Sequence, residues 1–101
     1  MTLPVVVARE AERQPKAIDR WWRTNRTAAP DLFRDELAAA LELIGLAPLA
    51  GRRYRRAAPT DVRRILLRST HYHVYYVVRD SDALVVAVWS AVRGTGPDLR
   101  P

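Results

Sequence analysis

Residues 61–93, DVRRILLRSTHYHVYYVVRDSDALVVAVWSAVR, decide the fold. They read as three short strands in an antiparallel meander, entered through an arginine-rich block. The first strand spans residues 62–69 and is rich in Ile65, Leu66 and Leu67. The second spans residues 72–79, where Tyr72, Val74, Tyr75, Tyr76 and Val77 are strand formers. The third covers residues 84–90 around Val85, Val86 and Val88. Asp80-Ser81-Asp82 between the last two is turn chemistry, because short polar side chains hydrogen-bond the local backbone.

Side chains alternate between the faces of a strand. Tyr72, Val74, Tyr76 and Val78 therefore share one face of the middle strand, and this face is core. His71, His73, Tyr75 and Val77 share the other, which is apolar enough to prefer cover and polar enough to survive exposure. A chain with two helices buries one sheet face well. The second face is left for a partner.

With 101 residues and 49% hydrophobic residues, the expectation is one globular domain over residues 1–101, with residues 94–101 as a Gly/Pro-rich tail. The chain contains no cysteine, so it forms no disulfide and offers no thiolate metal site, consistent with a reducing cytosol. The apolar run at residues 3–8 is too short for a signal peptide or a membrane span. The expected setting is soluble and cytoplasmic.

The formal net charge is +6, and it is unevenly placed. Residues 51–68 hold seven arginines (Arg52, Arg53, Arg55, Arg56, Arg63, Arg64 and Arg68) against Asp61, a local balance of +6. The remaining ten basic and ten acidic residues cancel. Sixteen of the seventeen cationic residues are arginine, which favours planar, bidentate recognition of carboxylate or phosphate. Three uses fit such a patch: contact with nucleic-acid phosphates, docking of an acidic protein segment, or a solvated loop that aids solubility.

Upstream, residues 3–8 form a first strand and a helical hairpin follows. Ala11, Ile18, Trp21, Trp22 and Asn25 fall near one helical face, which predicts a helix over residues 9–25, bent at Pro15. A separate turn over residues 9–13 is the alternative. Pro30 and Asp31 open a second helix with Thr27 as a candidate cap, and Phe33, Leu37, Ala40, Leu41 and Ile44 make its apolar stripe. Gly45 and Pro48 are expected to end it. The fold class is thus α+β, in the order β-α-α-β-β-β: an N-terminal strand and a two-helix antiparallel hairpin packed on one face of a mainly antiparallel sheet.

Motifs for chemistry are few. His71 and His73 are two apart on the expected strand and would share a face, but a metal site needs further ligands at a telling spacing. Ser90, His73 and an aspartate carry no nucleophile-elbow pattern, and no phosphate-binding glycine motif is present. No cofactor is expected. The adjacent Trp21 and Trp22 lie about 100° apart on a helix, so one fills the core and the other nears the surface. Trp22 is the candidate for contact with a target.

This order of elements resembles the type II toxins of the RelE/ParE superfamily over essentially the whole chain. The stretches that carry the resemblance are Pro48-Leu49-Ala50-Gly51-Arg52, Val62-Arg63-Arg64-Ile65, Tyr72-His73-Val74-Tyr75-Tyr76-Val77-Val78 and Val86-Ala87-Val88-Trp89-Ser90-Ala91-Val92-Arg93. The resemblance implies a two-gene cassette of the plasmid-stabilisation kind. A cognate antitoxin would lay an acidic, amphipathic C-terminal segment over its toxin and would alone contact operator DNA. Arg52, Arg53, Arg55, Arg56, Arg68 and Tyr75 are then the candidate antitoxin-binding residues.

The superfamily implies two mechanisms. RelE-like members cleave mRNA on the ribosome, and ParE-like members poison DNA gyrase. Compared with the nuclease pattern, Arg64 and Arg93 match basic positions, His73 stands where arginine is usual, and Leu99 stands where a catalytic tyrosine is expected. The set Arg64, His73 and Arg93 lacks a second proton-transfer group, for which His71 and Tyr75 are the candidates. The resemblance therefore implies a ParE-like gyrase inhibitor, not an enzyme, ahead of an endoribonuclease and ahead of an inactive binding module.

Overall fold

In a computed structural model, which describes residues 2–57, 60–92 and 96–99, the chain forms a five-stranded sheet with two helices. The strands are β1 (Val5–Val7), β2 (Arg52–Arg53), β3 (Val62–Leu67), β4 (Tyr72–Val78) and β5 (Ala83–Ser90). The helices are α1 (Arg13–Asn25) and α2 (Leu32–Leu46). The sheet order is β1-β5-β4-β3-β2, parallel only between β1 and β5. The α+β architecture and the meander follow the sequence reading, with β2 as an additional edge strand of two residues.

Three local readings are corrected. Residues 9–25 are not one bent helix: Arg9–Ala11 is a separate 3-10 turn and α1 begins at Arg13. Pro15 then sits in the first turn of α1, where backbone N–H groups have no helical partner to lose. Thr27 does not cap α2, whose N-cap position is Asp31, and Gly45 does not end it. Gly45 lies inside the last turn because a Cβ there would meet the Leu3 carbonyl oxygen at 2.9 Å. That close approach lets the Leu3 N–H donate to the Gly45 carbonyl at 2.9 Å and ties the start of the chain to α2.

The main core lies between the helices and the sheet. Phe33, Ala40 and Ile44 of α2 pack with Val74 and Tyr76 of β4 and Val85 and Val88 of β5, and Ile18 and Trp22 of α1 close one end. The second sheet face is not left wholly open, as its mixed composition implied. Tyr54, Ala57, Val62, Tyr75 and Ala87 form a second buried cluster, with Leu99 of the tail packed against it. A bulge in β5 at Val86, where Tyr75 pairs with Ala87 and Tyr76 with Val85, turns the consecutive Val86 and Ala87 both toward the second cluster.

Two polar knots hold the layers in register. The buried Tyr76 hydroxyl accepts from the Gly51 N–H at 2.9 Å and donates to the Pro48 carbonyl at 2.7 Å. A Cβ on Gly51 would lie 2.5 Å from that hydroxyl. The Glu36 carboxylate accepts from the Ser69 and Thr70 N–H groups at 2.8 and 2.9 Å and from the Thr70 hydroxyl at 2.7 Å, clamping the β3–β4 turn to α2. His71 occupies that turn at φ 61°, in the left-handed region. It therefore does not share a strand face with His73, and the His-x-His pairing expected from the sequence dissolves.

Tyr76→Phe leaves the Gly51 N–H and the Pro48 carbonyl without their partner, so unfolding in denaturant should show a loss of about 1–3 kcal/mol; an unchanged midpoint would refute the knot. Glu36 supplies a pH signature. Burial pushes its carboxyl up, but the Ser69 N–H, the Thr70 hydroxyl and the Thr70 N–H outweigh burial and hold it below the usual carboxylate range. The unfolded chain then binds more protons than the folded one below about pH 4.3, and stability falls as pH falls through the lowered folded pKa. Glu36→Gln should flatten that part of the stability–pH curve.

Candidate functional site

The cationic block folds into the β2–β3 edge, and pairing sorts its arginines. In register, Arg52 lies opposite Arg64 and Arg53 opposite Arg63. Like charges directly opposite one another destabilise a sheet. Asp61 relieves the second pair, at 3.0 Å from Arg53 and 3.9 Å from Arg63. Arg63 is further anchored by the carbonyls of Gly51 at 2.9 Å and Leu49 at 3.3 Å. Among the described residues, Arg52, Arg64 and Arg68 form no ion pair.

These three arginines and His73 line one cavity of about 580 Å³, with Leu43 of α2 and Leu66 of β3 as its apolar walls. The Arg64 guanidinium lies 5.4 Å from the Tyr54 ring centroid and donates to the Tyr75 hydroxyl at 3.5 Å. That arrangement holds the guanidinium against the sheet by cation–π attraction and keeps it at the cavity wall. His73 meets the Tyr75 ring edge-on at 5.9 Å. Burial, and then the nearby Arg64 charge, lower the His73 pKa. The imidazole is neutral at neutral pH, and the arginines carry the positive field.

The other candidates lie elsewhere. Arg53 is engaged with Asp61, and Arg55 and Arg56 sit in the 3-10 turn Arg55–Ala57, with Arg56 donating to the Gly96 carbonyl at 3.2 Å. Tyr75, expected on an uncovered face, is 1% exposed. Tyr54 stacks edge-on over it at 4.8 Å and donates its hydroxyl to the Pro97 carbonyl. Tyr75 shapes the site from behind and is not a surface anchor. Trp22 is half-buried, with its indole N–H donating to the Ala29 carbonyl at 2.9 Å; the exposed member of the pair is Trp21, at 45%. Arg93 lies outside the described residues.

A family described as "ParE toxin of type II toxin-antitoxin system, parDE" matches residues 5–93, from β1 through the whole meander. The chain belongs to the ParE toxin family. It is a type II toxin, and membership of the family implies an antitoxin partner. No curated protein matches the chain. Among the described residues of this ParE-family toxin, no helix is long and apolar enough to cross a membrane.

The site also contains what sequence reading passed over. Leu43 and Leu66 are 43% and 42% exposed beside the cations, and Leu46 and Leu49 are more exposed still. Leu43 follows Leu41 and precedes Ile44, so it was hidden among neighbours that do face the core. The only signal was its place off the apolar stripe.

The lowered His73 pKa has a direct test. Between the ordinary histidine pKa of about 6.5 and the lowered folded value, the unfolded chain binds more protons, so His73 makes stability fall as pH drops through that window. An NMR titration should give His73 a midpoint below about 6.5, and Arg64→Ser should move it upward. A midpoint that ignores Arg64 would remove that arginine from the imidazole's surroundings.

Proposed function

We propose that this toxin arrests growth in the cytoplasm by binding and inhibiting DNA gyrase, and that a cognate antitoxin neutralises it with an acidic, amphipathic segment. The observation that carries the inhibitor reading is the composition of the cavity. Three arginines offer charge, and among the described lining residues His73 is the one side chain suited to proton transfer, its pKa lowered by burial and then by the Arg64 charge. Cleavage of RNA by its 2′-hydroxyl needs a proton acceptor and a proton donor as well as charge stabilisation. A neutral His73 would serve as acceptor, yet among the described residues no lining residue serves as donor. Tyr75 is sealed beneath Tyr54, His71 stands in the turn, and Leu99 packs on the second core. Such a site is built to hold an anion, and gyrase as its target is what the resemblance to ParE-like toxins implies. Contact with operator DNA would come only through the antitoxin.

The second reading is a ribosome-dependent mRNA endonuclease, supported by Arg64 and His73 lining one cavity, with Arg93 as the third residue. A binding module without toxicity is the third. Purified toxin should block supercoiling by purified gyrase at micromolar concentration and leave mRNA on translating ribosomes intact. Unchanged supercoiling together with mRNA cleavage that His73→Ala abolishes would establish the endonuclease instead. Folded protein that does neither would establish the binding module.

A further inference from the structure

β5 outruns its parallel neighbour, since β1 covers only residues 83–85. On that side the Ala83 N–H donates to the Pro4 carbonyl at 2.9 Å, and the Val85 carbonyl accepts from the Ala8 N–H at 2.8 Å. Further along, the Val88 N–H donates to the side-chain oxygen of Gln14 in α1 at 2.7 Å. Backbone groups of alternate residues on an antiparallel strand face the same way, so those of Ser90 turn to this side too. The next residue confirms the alternation, because the Ala91 N–H goes to the His71 carbonyl on the β4 side at 2.7 Å. Ser90 lies beyond the end of β1, and among the described residues its N–H meets no acceptor there.

A cavity of about 570 Å³ opens at this point between α1 and the ends of β4 and β5, and it shares no lining residue with the cationic cavity. Its size suits a small molecule, whose sites run to roughly 300–1,000 Å³. Trp21, Trp89 and Tyr72 give it three aromatic walls, and Ala17 is the smallest side chain on its α1 side. Trp21 is 45% exposed yet held in place, with the Arg26 guanidinium 5.0 Å from its ring centroid and the Trp22 ring at 5.9 Å. A wall fixed in advance loses little freedom when a ligand arrives. Gln14 spends its oxygen on Val88, so its amide N–H groups are what it has left to offer. Beside this stripe α1 carries Arg13, Lys16 and Arg20 at i, i+3 and i+7, all exposed and, among the described residues, without an ion pair. No acid lines the cavity among the described residues. Exposed cations alone would only solubilise α1; here they border aromatic walls and spare N–H donors.

We infer that this cavity binds a small planar aromatic carboxylate, whose ring packs on Trp21, Trp89 and Tyr72 and whose carboxylate accepts from the Ser90 N–H and the Gln14 amide. The aromatic body follows from the walls, since rings pack best on rings in offset or edge-on contact. The anion follows from spare N–H groups beside a cationic rim that holds no acid. A second copy of the chain is a poor occupant, because its own α1 would bring the same cations against these. The ligand joins α1 to the end of β5, so it stabilises the folded toxin by mass action. The inference depends on neither the gyrase reading nor the antitoxin reading.

The test titrates 2-naphthoate into the full chain and follows its indole and backbone N–H resonances. The Trp21 and Trp89 indoles and the Ser90 amide should shift with a Kd below about 1 mM. The Trp22 indole, bonded to the Ala29 carbonyl, should shift least of the three. Ala17→Phe, at an exposed position, should fill the cavity and weaken binding at least about tenfold. Lys16→Ser/Arg20→Ser should weaken it about threefold or more and reduce its salt dependence, while Arg52→Ser/Arg68→Ser stays within about twofold. Uncharged 2-naphthamide should bind at least about fivefold more weakly than the carboxylate. No shift at millimolar naphthoate, shifts centred on Arg64 and Leu66, equal affinity for the amide, or undiminished binding by folded Ala17→Phe would overturn the inference. Octanoate binding more tightly than naphthoate would overturn the aromatic class. Dimerisation that buries Trp21, or a co-purified antitoxin that occludes Trp21 while naphthoate fails to bind, would assign the cavity to a protein instead.

Discussion

One phenolic hydroxyl governs the working end of this toxin. Tyr76 is fully buried in the main core, yet its hydroxyl reaches out to hold residues 48–51 through the Pro48 carbonyl and the Gly51 N–H. The chain leaves α2 and is caught there before it can lie along β3 for more than two residues. Glycine is required because the tyrosine occupies the space a Cβ would need. From that one anchor follow the brevity of β2, the open stretch of β3 and the pairing of Arg52 with Arg64. Core packing thus decides where charge is presented.

The arrangement leaves electrostatic repulsion in place where a stability-driven sheet would remove it. Asp61 quenches the Arg53–Arg63 pair, and nothing among the described residues quenches Arg52 and Arg64. Like charges across a strand pair cost about 0.2–1 kcal/mol each, a tolerable fraction of a small protein's stability. The cost sustains a positive field beside the apolar walls of Leu43 and Leu66. That combination suits a ligand that brings both carboxylates and aliphatic side chains.

The meander was legible because its strands alternate with period two and are separated by short polar turns, and α2 because its apolar stripe follows a helical period. β2 was not legible, since two arginines carry no strand signal and the pairing depends on Tyr76, which holds Gly51 from twenty-five residues further along the chain. The sealing of Tyr75 was invisible for a similar reason: its cover comes from Tyr54 and from residues 96–99. A helical wheel separates Trp21 from Trp22 by angle alone; the Ala29 carbonyl, beyond the end of α1, decides which indole turns inward. The patch of seven arginines was evident, but only register divides it into paired, looped and free members.

The central claim is that the cationic cavity holds anions and does not cut RNA. It is tested most directly by pulse-labelling DNA and protein synthesis in a bacterial host immediately after induction of the toxin alone. The account predicts that DNA synthesis fails first, with a DNA-damage response. Protein synthesis failing first, with DNA synthesis intact, would contradict it.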